Sequence, residues 1–241
     1  MKITNWSVLL MVLAITVGCA LDDDKVIPSG RVIKRTHELS NFSDVYISDG
    51  FKAFVTFSDG EDKVEVEAEK NLHAHFSIYK RGNQLVVKLK DDVFIWGNHT
   101  MNIHITTSKA NTFNASGGAS FELENTRHGD YADVQLSGGS SFSGRLSVDK
   151  LSVDTSGGSE LELSGDALHT TIACTGGSQF NDYLFTTEHL DASLSGGSEV
   201  YLSVTNQIKV TASGGSTLYY KGTPKSIDKN LSVGSELVNR N

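Results

Sequence analysis

Cysteine, proline and tryptophan each occur only twice in the 241 residues. Two cysteines cannot supply the disulfide framework that staples small secreted folds. Two prolines leave long stretches free to run as uninterrupted strands, because proline removes a donor from a sheet ladder. Positive charge is also scarce: 21 Lys and Arg face 29 Asp and Glu, for a net charge of −8. Nucleic acid demands a basic face, so it is excluded as a partner. The only long apolar run, Val8 to Val17, is too short for a membrane-spanning helix. No Gly-x-Ser-x-Gly elbow stands between a strand and a helix, and no phosphate-binding glycine loop or calcium-binding nonapeptide repeat occurs.

Glycine, by contrast, is plentiful and ordered. Of 23 glycines, 12 fall in six pairs: Gly117-Gly118, Gly138-Gly139, Gly157-Gly158, Gly176-Gly177, Gly196-Gly197 and Gly214-Gly215. The first members are 21, 19, 19, 20 and 18 residues apart, and a decayed copy, Val233-Gly234, follows 19 residues later. A fixed period of this length means one structural unit repeated. Four residues after each first position stand Phe121, Phe142, Leu161, Phe180, Val200, Leu218 and Leu237. Four before it stand Phe113, Val134, Val153, Ile172, Ala192, Val210 and Lys229, and two before it Ala115, Leu136, Thr155, Cys174, Leu194, Ala212 and Leu231. Polar or small residues alternate with these columns, the pattern of half-buried strands.

A glycine pair between short strands reads as a sharp corner or a tight hairpin turn. Hairpins give no reason for seven matched columns, whereas a parallel β-helix stacks each coil on the last. Seven coils at the usual strand spacing would span roughly 30 Å. The hydroxyl column Ser116, Ser137, Ser156, Thr175, Ser195, Ser213 and Ser232 is expected to satisfy backbone groups at the bend. Cys174, in an inward column, reads as a small core residue.

Residues 1–18 have the form of a lipoprotein signal peptide: Lys2, then the apolar run, then Thr16-Val17-Gly18-Cys19. That segment resembles a lipobox, so Cys19 is expected to carry lipid and to become the mature N-terminus of a 223-residue chain (241 less 18). The lipid would be the link to the membrane. Residues 19–30 then form an acidic linker containing Asp22-Asp23-Asp24, similar to the surface-export signal of Bacteroidota lipoproteins. Residues 31–110 form an N-terminal β region of short alternating strands separated by turns such as Ser48-Asp49-Gly50 and Arg81-Gly82-Asn83. These permit hairpins or irregular coils, and either would cap one end of the β-helix of residues 111–241.

The chain resembles the putative autotransporter adhesin, head GIN domain family over roughly residues 39 to 238. The resemblance is carried by Leu39 to Ile47, Gly50 to Val55, Asn83 to Lys88, Met101 to Ile105 and the Ser-Gly-Gly-Ser repeats. It implies an all-β chain with a right-handed parallel β-helix, secreted or lipid-anchored in the outer membrane of Bacteroidota. It also implies adhesion, no conserved catalytic residues and no cofactor.

The residues offer three functional readings. Tyr201 and Tyr219 follow inward residues on adjacent coils, so they point outward and could stack on a sugar ring or a partner side chain. Trp96 sits with Phe94 and His99 in a Gly/Asn-flanked loop and is a second binding candidate. The partner would be a host or envelope protein or a glycan. Alternatively, Glu160 and Glu199 lie two coils apart on an outward column, about 9–10 Å, near the limit for an inverting glycosidase pair. A third reading is an envelope scaffold whose coil ends stack. His73 and His75, at strand spacing on one face, could hold a metal, but two ligands fall short of a site and a surface or edge position is expected.

Overall fold

The computed structural model describes residues 24–60 and 62–241. The expected signal segment, Cys19 and most of the acidic linker lie outside the described residues. Apart from one 3₁₀ turn at Leu72–His75, the regular structure described is strand.

Seventeen strands form one continuous sheet wound into a parallel solenoid, and a two-stranded ribbon pairs Asp24–Val26 with Val93–Ile95. Each coil has three walls. The first precedes the glycine corner, the second follows it, and the third returns to the start of the next coil. The columns read from the sequence are in register: Phe121 pairs with Phe142, Phe142 with Leu161, Leu161 with Phe180 and Phe180 with Val200. All five side chains are buried. The first wall stacks Phe113, Val134, Val153, Ile172, Ala192 and Val210 in the same way. Phe113, Phe121 and Phe142 interlock with ring centroids 5.4–5.9 Å apart. Thr155 donates its hydroxyl to the Cys174 sulfur at 3.0 Å, and burial pushes that thiol up to about 11.

The corner explains the pairs. In Gly157-Gly158 both φ angles are positive, 65° and 73°. These are left-handed angles that cost a residue with a Cβ about 1–2 kcal/mol. The two positions are not equivalent. A Cβ on Gly157 would lie 3.1 Å from the Gly138 amide nitrogen in the preceding coil, whereas one on Gly158 would meet open space. The corners are also bonded coil to coil, with the Gly139 N–H donating to the Gly157 carbonyl at 3.0 Å.

The serine expectation needs a correction. The hydroxyls that satisfy the bend lie after the glycines: Ser140, Ser159, Ser178, Ser198 and Ser216 are buried and donate to the carbonyls of Ser137, Ser156, Thr175, Ser195 and Ser213 at 2.7–2.8 Å. The expected column supplies the carbonyl rather than the hydroxyl. Its side chains lie outside the bend.

The parallel ladder continues into the N-terminal half. Asp44–Ile47 and Lys52–Phe57 pair with Thr112–Ala115 and Ser120–Leu123, so Asp49-Gly50 stacks as one more corner. Asp49 takes φ 60° there, which Asp tolerates better than most residues. It can carry a Cβ because no glycine corner lies beneath it; its carboxylate instead accepts the Leu89 N–H at 3.0 Å. Gln84–Leu89 and Met101–Thr107 form the next rung down. Beyond it the chain turns antiparallel: Phe76–Arg81 pairs with Gln84–Leu89, and Lys63–Glu69 lies between Met101–Thr107 and Val32–His37. Both alternatives therefore occur, coils inside and antiparallel closing strands at the end. The opposite end has Lys229 in its apolar column and a fully exposed Val233, a charged and irregular rim that disfavours edge pairing.

His73 and His75 do not share a strand. Both lie in the 3₁₀ turn, where His73 Nε2 is 3.2 Å from the Ile33 carbonyl. Burial holds the His37 and His73 imidazoles below their ordinary value.

Two outcomes follow. Gly158→Ala should lower unfolding free energy by about 1 kcal/mol and Gly157→Ala by more, since only the latter adds a clash. Gly165→Ala should be worse again, because its Cβ would lie 1.8 Å from the Leu146 carbonyl oxygen; urea unfolding of the three variants ranks them. Because folded His37 and His73 hold protons less readily than the unfolded chain, stability of the N-terminal closure should fall as pH drops below 6.5. A His37→Gln/His73→Gln chain should flatten that slope in hydrogen exchange of Val32–His37.

Candidate binding faces

Polar and aromatic side chains project from the second wall in two columns, because strand residues alternate between core and solvent. One contains Lys52, Ser120, Ser141, Glu160, Gln179, Glu199, Thr217 and Glu236 in continuous register. Glu160 and Glu199 thus share a ladder with Gln179 between them. Neither stands free. Glu160 accepts a 2.9 Å hydrogen bond from Asn181 Nδ2, and Glu199 accepts one of 3.0 Å from the Tyr201 hydroxyl.

The neighbouring column carries Asn181, Tyr201 and Tyr219 in register. Tyr201 and Tyr219 are half-buried and stacked on each other, with centroids 4.5 Å apart and planes 11° from parallel. Tyr183 meets Tyr201 edge-on at 5.7 Å. The Lys221 ammonium sits 4.4 Å from the Tyr183 ring centre and the Arg240 guanidinium 5.0 Å from that of Tyr219. Ring faces are therefore largely engaged by one another and by cations, leaving edges, hydroxyls and the two positive charges for a ligand. Burial first, then the Glu199 carboxylate, pushes the Tyr201 hydroxyl well above its ordinary value, so it remains a proton donor.

The repeat columns do not place Tyr183, Lys221 and Arg240 in this cluster. The coil from Gly176 to Gly196 is one residue longer than the 19-residue coils before it. The ladder slips between Asn181 and Thr186, and the Leu184 N–H bonds the Asp182 side chain at 2.9 Å. That bulge displaces Tyr183 toward Tyr201 and leaves Leu184 exposed. The interval of 20 was the available signal.

A second aromatic group lies lower on the wall. Phe54 and His104 stack at 5.2 Å, with Lys52 4.6 Å from the Phe54 ring and paired to Glu122 at 2.9 Å. His104 also contacts the Glu67 carboxylate at 3.1 Å. His169 and His189, paired in adjacent coils, stack at 4.8 Å.

Trp96 opens the Gly/Asn loop directly after a strand rather than standing apart from the sheet. Phe94 belongs to the strand Val93–Ile95, and the Trp96 N–H continues its pairing by donating to the Val26 carbonyl at 2.9 Å. Trp96 is 57% exposed and Phe94 50%.

A depression of about 540 Å³ beside Asn41, Asp62 and Lys109 is a closing clamp rather than a site. Its groups bond one another: Asp62 accepts the Asn41 N–H at 2.6 Å and the Thr107 hydroxyl at 2.7 Å, while Lys109 donates to Asn41 Oδ1 at 2.6 Å. Among the described residues no three His, Cys, Asp or Glu gather as a metal site.

Comparison with known proteins agrees with this architecture. A putative adhesin from Bacteroides fragilis has the same fold, with a TM-score of 0.83 at 21% identity, covering 89% of this chain and 100% of that one. A putative adhesin from Parabacteroides merdae gives 0.75 at 15% identity over 90% of this chain and 100% of its own. A putative lipid binding protein from Parabacteroides distasonis gives 0.73 at 14% identity, again over 90% and 100%. No curated protein matches the chain. The family model described as putative auto-transporter adhesin, head GIN domain matches residues 41–224, so the chain belongs to that family.

Proposed function

We propose that the chain is a lipid-anchored envelope adhesin that engages an extended protein or glycan along its second wall, without catalysis. The observation that carries this reading is the Tyr183–Tyr201–Tyr219 ladder flanked by Lys221 and Arg240. A rigid row of amphipathic rings loses little side-chain entropy on binding. The Tyr201 hydroxyl, whose proton goes to Glu199, can accept a hydrogen bond, and the two cations favour a ligand with carboxylate or sulfate groups. Repetition of the coil at a fixed spacing suits weak contacts made several at a time.

Catalysis by the Glu160/Glu199 ladder is the weaker reading. The two carboxylates are held by Asn181 and Tyr201 on an open wall. General acid chemistry at neutral pH needs a carboxyl kept protonated by an apolar site, and this wall offers none. The lipobox-like Thr16-Val17-Gly18-Cys19 supports lipid attachment and with it display at the envelope, and the outer membrane of a Bacteroidales cell is the proposed location.

The purified chain should bind acidic glycans or surface proteins on an array. Tyr201→Ala combined with Tyr219→Ala should weaken that binding about tenfold or more. Glu160→Gln should leave it unchanged and should alter no polysaccharide turnover. Absence of any array binding, or undiminished binding by the double tyrosine variant, would refute the assignment.

A further inference from the structure

The ribbon of Asp24–Val26 and Val93–Ile95 has two faces. Val26 is buried, and Val93 and Ile95 pack partly against the core. Strand alternation places Lys25, Ile27, Phe94 and Trp96 on the opposite face. Ile27 is 67% exposed, and with Phe94 and Trp96 it gathers three large apolar side chains in one small patch. The rings of Phe94 and Trp96 are 6.2 Å apart, and the Lys25 ammonium lies 4.1 Å from the Trp96 ring centre. Val32 and Tyr79 are exposed on the antiparallel closing strands, and Leu168, Leu184 and Ile227 belong to different coils.

The position of this patch in the chain identifies its occupant. Only five residue steps separate Cys19 from Asp24. Fully extended they reach about 17 Å. A lipid on Cys19 therefore holds the ribbon beside the bilayer. We propose that Ile27, Phe94 and Trp96 dock into the interfacial layer of the membrane that anchors the chain, with Lys25 reaching the phosphate level. This rests on lipidation of Cys19. Indole and phenyl rings favour the headgroup region, and lysine extends its stem along apolar surface while its ammonium stays in water. Asp91 and Asp92 adjoin the ribbon, so apolar contact rather than charge supplies the attraction, and a weakly charged bilayer suits it better than a strongly anionic one.

The consequence is orientation. The ribbon interrupts the rung of Gln84–Leu89 and Met101–Thr107 at the closed end of the solenoid. From Met101–Thr107 to the Tyr219 rung, Thr217–Lys221, the second wall climbs seven pairings. That is about 34 Å of stacking. Docking the ribbon would keep the tyrosine ladder at the far end of the stack from the anchor.

The chain carries its own reporter. Its two tryptophans are Trp6 and Trp96, and cleavage before Cys19 removes Trp6. The acylated full-length mature protein would be reconstituted into phosphatidylethanolamine vesicles with a minor share of phosphatidylglycerol, some carrying brominated acyl chains. Docking predicts a blue shift of Trp96 emission relative to the Cys19→Ala protein in buffer, and quenching by the brominated lipid. Ile27→Ser with Phe94→Ser keeps the reporter and should abolish most of that quenching, with the solenoid's thermal unfolding unchanged. Acyl chains present by mass spectrometry with Trp96 unshifted and unquenched would overturn the docking proposal and leave the anchor standing. A Cys19 without acyl chains would overturn both. Trp96 protected from aqueous quenchers by self-association, with no lipid quenching, would assign the patch to a second copy and refute a membrane role.

Discussion

Stacking of backbone on backbone at the glycine corner is the constraint from which the rest of the fold follows. Each coil must turn sharply within two residues, and the next coil must turn at the same place one strand spacing away. Left-handed angles at both positions make the turn possible. The missing Cβ at the first position lets amide lie on amide, as between Gly138 and Gly157. Once that approach is set, the flanking residues fall into register and the inward columns close into one apolar interior. The buried serine hydroxyls bond the carbonyls at the start of the bend in the same coil. Polar satisfaction at the corner is thus local, whereas apolar packing is shared along the stack.

The two ends of such a stack are different physical problems. Parallel coils expose unpaired strand edges, and the chain handles them with different devices. At the N-terminal end Phe76–Arg81 and Lys63–Glu69 return antiparallel and complete the hydrogen bonding of the outer rung. At the C-terminal end the apolar column terminates in Lys229, whose charge blunts further addition. Asp49 belongs to the same logic. It stands where a first glycine would otherwise be required, and is tolerated because the rung beneath it turns by a wider path.

Function was less legible than fold. Tyr201 and Tyr219 could be placed outward from alternation alone, and both lie on the outer side of the second wall. Their mutual stacking could not be read, because it depends on rotamers and on how closely adjacent rungs approach. Tyr183 was hidden by a one-residue bulge that moves it out of its column, and Arg240 by its distance from any glycine pair. The histidines 73 and 75 were read at a spacing of two as strand neighbours, but the Asn71 to His75 segment closes a 3₁₀ turn. Trp96 was read as a loop residue because Gly97 and Asn98 follow it. It does open that loop, but a parallel partner more than sixty positions away in sequence, Asp24–Val26, makes the three residues before it a strand.

The repeat period, the inward columns, the corner and the family are properties of the chain read along its length. They depend on local backbone preference and alternation, which each residue carries with it. Three things were decided only by tertiary structure: the rung order in the N-terminal half, the hydroxyl that serves each bend, and the grouping of Tyr183, Lys221 and Arg240. The first and the third depend on contacts between residues distant in sequence, and the second on which hydroxyl of the short bend turns inward and is buried. In the N-terminal half, Asp44–Phe57 sits between a rung that precedes it in the stack but follows it in sequence, Gln84–Thr107, and the rung of Thr112–Leu123. No pattern along the chain records that exchange, because both rungs bury the same alternation of apolar side chains and only their packing against the closing strands distinguishes them.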